Sequence, residues 1–182
     1  MTQRIHGNQL QALLIDVQDR LTPLIADHQI ITDNIVKLIK GLKLLDIPLI
    51  ANEQYPKGLG HTIAPIKDVL GDTPIFEKVT FSSCDDEATL TAIRESDRPQ
   101  VLIFGVETHV CVLQTAMDLL DQGFGVLVVA DAVGSRDKAN KCYALSRMTQ
   151  AGAIIVSTEM ILFELCRSAK NPVFKEISAL VK

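Results

Sequence analysis

The 182 residues contain no tryptophan, two tyrosines and six phenylalanines. Proteins that grip single-stranded nucleic acid pair a basic groove with stacking aromatics. Here lysine and arginine are scattered and the formal net charge is −4, so no nucleic-acid surface is expected. No apolar run approaches the ~20 residues that span a bilayer, and no membrane partner is expected. The opening MTQRIHGNQL lacks the apolar core of a secretory leader, which predicts a cytoplasmic protein. Cysteine is sparse as well. Cys84, Cys111, Cys142 and Cys166 are widely and irregularly spaced, without a Cys-x-x-Cys pair. That pattern excludes zinc-site spacing and a secreted disulfide framework. Internal repeats, low-complexity segments and linkers are also missing, so residues 1–182 are expected to form a single domain.

Strand and helix patterns alternate along the chain. Apolar runs at 11–17, 47–53, 73–79, 100–106, 124–132 and 153–157 read as six strands. Helical spacing recurs at 34–45, 63–70, 85–95, 109–122, 138–151, 158–167 and 173–181. Runs such as LLI, LIFGV and VLVVA have no polar face, as in parallel strands covered on both sides. The expected fold class is α/β, a three-layer α/β/α sandwich built on a six-stranded parallel, Rossmann-like sheet with right-handed crossovers.

Ligands of such sheets bind beyond the carboxyl ends of the strands. Asp16 closes the first strand, where a carboxylate directly after LLI needs either an exit from the core or a partner. Lys78 follows the third strand and is either a solvated lysine or a functional one. Asp131 ends the fifth strand and reads as structural, capping its loop or holding Ser135 or Arg136. Cys111 follows the fourth strand inside GVETHVCVLQTAMDLL. With Thr108 as an N-cap, it falls in a first helical turn, where free N–H groups and the helix dipole favour an anion. A free thiol titrates at about 8.5, and such a setting lowers it. The alternative for Cys111 is an inert buried thiol. Taken together, Cys111 would be the nucleophile. Asp16 would accept and return its proton, Lys78 would stabilise both anions, and nearby amides would form an oxyanion hole.

The motifs LLIDVQ, EKVTFSS, GVETHVCV, VVADAVGSRD and RMTQAGA together resemble the isochorismatase-like cysteine hydrolases over nearly the whole chain. NEQYPKGLG and the ending LFEL…NPVFKEI are similar to the isochorismatase domain-containing proteins within that family. The resemblance implies strand order 3-2-1-4-5-6 and the triad Asp16, Lys78 and Cys111. In that order Lys78 stands two strands from Asp16, roughly 10 Å, a gap for its long side chain and the loop at Val79 and Thr80 to cross. It also implies a cis peptide between Val106 and Glu107, with the Glu107 and Cys111 amides forming the oxyanion hole and the Glu107 side chain incidental. The nicotinamidases of the superfamily carry an Asp and two His after the second strand. Here that region offers only Asn52, Glu53 and His61, so no metal and no cofactor is expected. The enzymes that cleave isochorismate lack the nucleophilic cysteine, so a carbon–nitrogen bond in a small amide-type molecule is the expected target, through a covalent thioester.

Gln54, Tyr55 and Phe81 lie on loops at the catalytic edge of the sheet. They are either substrate-binding residues or packing and subunit-contact residues. His109 either orients substrate or sits on a helix surface. Leu21, Leu24 and Ile25 are expected to be exposed and, with the family's habit of assembly, point to a homo-oligomer. The competing reading is a small-molecule binding or scaffold protein that keeps the fold without turnover.

Overall fold

In the computed structural model, which describes residues 4–182, six parallel strands form one sheet. They are β1 (Leu10–Ile15), β2 (Leu49–Gln54), β3 (Ile75–Lys78), β4 (Gln100–Val106), β5 (Gly125–Gly134) and β6 (Ile154–Val156). Their order is β3-β2-β1-β4-β5-β6. Every residue of β1 is buried, and β4 is buried from Val101 onward, because helices cover both faces of the sheet. One layer holds α1 (His28–Leu44), α3 (Ala64–Leu70), α7 (Thr158–Cys166) and α8 (Phe174–Leu180). The other holds α4 (Glu87–Glu95), α5 (Leu113–Asp121) and α6 (Lys138–Gln150). A single helical turn, α2 (Pro56–Leu59), follows β2. Among the described residues, no helix is long and apolar enough to cross a membrane.

The core runs on both sides of the sheet. Leu13, Ile103, Phe104, Leu127 and Val128 are fully buried from the strands, and Ile35, Leu38, Ile39 and Leu42 from α1. The periodicity that marks α1 starts at Asn34, yet the helix begins at His28. Its first turns leave Gln29, Ile30 and Asp33 exposed and bury only Ile31 and Thr32, so the apolar stripe reports the helix late. The fifth strand also runs two residues beyond the apolar run, to Gly134. Its register against β4 shifts between Ile103 and Gly105, where Ile103 pairs with Val128 but Gly105 with Val133. The extra β5 residues here carry Asp131.

Two backbone features bring the ends of β1 and β4 together. Ile15 pairs with Gly105, and a Cβ on Gly105 would lie 2.1 Å from the Ile15 carbonyl oxygen. Gly105 also has φ +120°, a conformation that glycine adopts readily. Asp16 follows at once with φ +54°, a region that Asp tolerates better than most residues. The chain turns there, and the Asp16 side chain stays wholly buried.

Candidate active site

The third strand is the sheet edge, and Lys78 is its last residue. Its side chain reaches across β2 rather than into solvent. Nζ donates to Asp16 Oδ2 at 2.7 Å, to Gln54 Oε1 at 2.8 Å, and to the Thr80 and Phe81 carbonyls at 3.2 Å each. The long side chain thus crosses the two-strand gap. Both members of the Lys78–Asp16 pair have fully buried side chains. A buried ion pair contributes little net stability, because desolvation offsets the attraction. Its place at the strand ends of an open parallel sheet points to function instead.

Asp16 Oδ1 is buried and has no hydrogen-bond partner of its own. Burial pushes the Asp16 carboxyl above its ordinary value, although Lys78 and the Cys111 thiol pull it back. The Cys111 thiol is near enough to this carboxylate for each group to shift the other's titration. Cys111 is only 5% exposed, and burial pushes its thiol up to about 12, with the Asp16 charge adding to the rise and Lys78 opposing it. This corrects the expectation of a lowered thiol. The helix dipole and one shared ammonium do not outweigh burial beside a carboxylate, so the resting group is a neutral thiol next to a base.

The turn that carries Cys111 is wider than an ordinary helical turn. Residues Thr108–Val112 wind as a π-helical turn before α5 begins. The Glu107 carbonyl accepts from the Val110 amide at 3.1 Å and the Val112 amide at 3.2 Å, on either side of Cys111. Thr108 does not cap the turn. The preceding residue, Glu107, occupies the cap position, and the buried Thr108 hydroxyl has no partner. The Val106–Glu107 peptide is cis.

The Glu107 side chain is not incidental. Its Oε2 accepts from the Arg136 amide at 3.0 Å and from Arg136 Nε at 3.1 Å, tying the end of β4 to the loop after β5. His109, two residues before the cysteine, contacts Ser135 Oγ through Nδ1 at 3.0 Å. Asp131 holds neither Ser135 nor Arg136. Its Oδ1 accepts from the Thr158 amide and hydroxyl at the start of α7, at 2.8 and 3.0 Å. These pairings join residues more than 25 positions apart, and no local spacing announces them.

The loop residues divide by role. Gln54 bridges Lys78 and the Val79 carbonyl, the latter at 2.8 Å. Phe81 is 55% exposed while its carbonyl accepts from Lys78. Tyr55 is 53% exposed. Its ring packs over Gly58, where a Cβ would lie 2.5 Å from the ring. It lines a cavity of about 310 Å³ with Lys57, Glu77 and Asp86 at the β3 edge. Gln18, the last residue of LLIDVQ and given no role by the sequence, is fully buried. It donates to the Gln54 and Gly60 carbonyls at 3.0 and 2.6 Å and accepts from the Gln54 amide at 2.7 Å. It therefore holds the loops after β1 and β2 together.

The positions considered for metal binding have other partners. Asn52 donates to the Thr89 hydroxyl at 2.8 Å. Glu53 accepts from the Thr62 amide at 2.7 Å and contacts His61 at 2.8 Å. Burial alone would raise the Glu53 carboxyl, but the bonds from Thr62 and His61 hold it below its ordinary value. Among the described residues, no group of three His, Cys, Asp or Glu side chains is placed to hold a metal ion. Cys84 and Cys166 are buried and Cys142 is exposed; burial pushes the Cys84 thiol up to about 12.

Residues 11–160 match the family model described as the isochorismatase domain. The chain is 40% identical over 182 residues to isochorismatase domain-containing protein 1 of Salmo salar, covering 98% of this chain but 64% of that protein. The chain thus spans just under two thirds of that relative. A Caenorhabditis elegans structure described as MAR1 ribonuclease superposes with TM-score 0.93 at 38% identity, covering 98% of this chain and 92% of the other. The Escherichia coli YcaC gene product, described as an octameric hydrolase of unknown specificity, superposes with TM-score 0.92 at 28% identity, covering 97% and 88%.

Proposed function

The chain belongs to the isochorismatase domain family, and from that premise we propose that it is a cysteine-dependent hydrolase of small amide-type C–N bonds. The observation that carries the reading is the buried Lys78–Asp16 pair, 2.7 Å long, set against the Cys111 thiol. Asp16 takes the thiol proton as Cys111 Sγ attacks the substrate carbonyl carbon. The Glu107 and Cys111 amides stabilise the oxyanion. The C–N bond breaks as Asp16 returns the proton to the departing nitrogen, leaving an acyl thioester on Cys111. Water, deprotonated by Asp16, attacks the thioester; the acid leaves and the thiol is restored. Lys78 keeps Asp16 ionised in a site that would otherwise favour its neutral form. Gln54 positions Lys78, while Tyr55 and Phe81 form the rim that substrate meets. No cofactor takes part in these steps.

The raised thiol favours one second reading, a binding protein of the same fold that does not turn its ligand over. A panel of amides, carbamoyl compounds and nitriles separates the two, with RNA included because the C. elegans neighbour is described as a ribonuclease. The hydrolase reading expects turnover of a small C–N substrate, and Cys111→Ala to lower it by at least ~10³-fold with the fold intact by circular dichroism. Under single-turnover conditions an acyl adduct on Cys111 is expected by mass spectrometry. Turnover unchanged in Cys111→Ala would remove the cysteine from the mechanism. No turnover across the panel, with ligand retained through purification, would establish the binding reading.

A further inference from the structure

A second polar cavity lies between the start of α1 and the start of α6. It measures about 190 Å³ and is lined by Asp27, Asn34, Asp131, Ser135, Lys138 and Lys141 among others, with none of Asp16, Lys78 or Cys111. Most of its polar groups have partners. Lys138 is paired with Asp27 at 2.6 Å. The Asn34 amide donates to the Asp131 carbonyl at 2.9 Å. Asp131 Oδ1 is occupied by Thr158. Among the described residues, the Lys141 ammonium, the second carboxylate oxygens of Asp131 and Asp27, and Asn34 Oδ1 are left without a side-chain partner.

Lys141 is half-buried and takes part in none of the ion pairs among the described residues. Burial pushes its amine below the ordinary lysine value, while the Asp131 charge first, and the Asp27 charge after it, pull it back and Lys138 adds to the fall. Asp131 is therefore near enough to be felt without forming an ion pair. Lys141 also stands in the opening turns of α6, where the helix dipole disfavours a cation. A carboxylate beside Lys141 would relieve both penalties. A lone anion would also meet Asp131, and a lone cation would also meet Lys141. The cavity is below the ~300–1,000 Å³ of drug-sized pockets, so its occupant is small.

We propose that this cavity is a binding site for a small zwitterion of the α-amino-acid type, its carboxylate on Lys141 and its ammonium on Asp131. Each end of such a ligand meets the opposite charge, which neither half alone can do. The site is separate from the proposed hydrolytic centre. Ser135 lies between them, since it lines this cavity and also contacts His109 in the turn that carries Cys111.

The test is calorimetric titration of the full chain with glycine, L-alanine and L-serine, with acetate and methylammonium as half-ligands. Saturable binding of at least one amino acid is expected. It should weaken at least tenfold in Lys141→Met and stay unchanged in Cys111→Ala, and neither half-ligand should bind within tenfold of it. Asp131→Asn should weaken it as well, but Asp131 also caps α7. Lys141→Met breaks no ion pair, so it remains informative if the Asp131 variant fails to fold. The proposal is overturned by absence of saturable binding, by binding indifferent to Lys141→Met, or by acetate binding as well as the amino acids. Loss of binding in Cys111→Ala would move the ligand to the hydrolytic site and overturn it equally.

Discussion

A carboxylate with no exposed surface ionises only with a close counter-charge, and for Asp16 that is Lys78 at 2.7 Å. Burial still holds the Asp16 carboxyl above its ordinary value. Activity that uses the carboxylate as a base should therefore show its acid limb above the ordinary Asp range. Lys78→Met removes the group that draws this value down, so the limb should move further up in pH; steady-state kinetics across pH would measure both. The stability sign follows from the same shift. The native state holds this proton more tightly than the unfolded chain, so the contribution favours folding at low pH and is lost as pH rises through the shifted value. Cys111 gives a second expectation at this scale. Its thiol is buried and pushed up to about 12, whereas Cys142 is exposed. Iodoacetamide near neutral pH should label Cys142 first, and peptide mass mapping would reveal a faster Cys111 if the thiol were instead an exposed thiolate.

Among the elements, the junction of β1 and β4 sets the geometry. Gly105→Ala would drive a Cβ to 2.1 Å from the Ile15 carbonyl oxygen, at a φ of +120°. The strain and the overlap together should cost at least ~3 kcal/mol, read by denaturant unfolding; a loss below ~1 kcal/mol would mean that the strands separate easily. The central elements were legible because parallel strands covered on both faces write themselves as apolar runs, as β1 and β4 do; the segments of β3 and β6 also became strands, although these edge strands are largely exposed or half-buried. The site was legible as reactive residues at three strand ends. Its electrostatics were not. The titration of Cys111 depends on what packs over the sulfur, and spacing along the chain carries no such information. The Glu107–Arg136 and His109–Ser135 pairs escaped for the same reason, since both are made by the neighbouring ends of β4 and β5. Ile25 was expected at the surface and is buried, because the 3₁₀ turn at Thr22–Leu24 folds it back.

For the molecule as a whole, several large apolar side chains remain at the surface. Leu24 is 60% exposed, Ile30 63% and Tyr143 71%. From these exposed side chains we expect this chain to assemble with copies of itself. Light scattering after size exclusion should give a multiple of the 20.0 kDa chain mass. A sharp monomer at micromolar concentration would contradict this. Charged substitutions at Leu24 and Ile30 would then distinguish a contact surface from residues that are merely exposed.

The wide turn at Thr108–Val112 also fixes a direction. Ordinary helical winding advances a side chain by about 100° per residue, so the count of residues between β4 and Cys111 acts as a phase setting for the sulfur. Removing one residue there would leave Asp16, Lys78 and the cysteine all present in the chain, with the sulfur rotated away from the Asp16 carboxylate. The proposed trio is therefore defined by angular register as much as by composition, and a relative with one residue fewer in this turn would carry the same letters without the same aim.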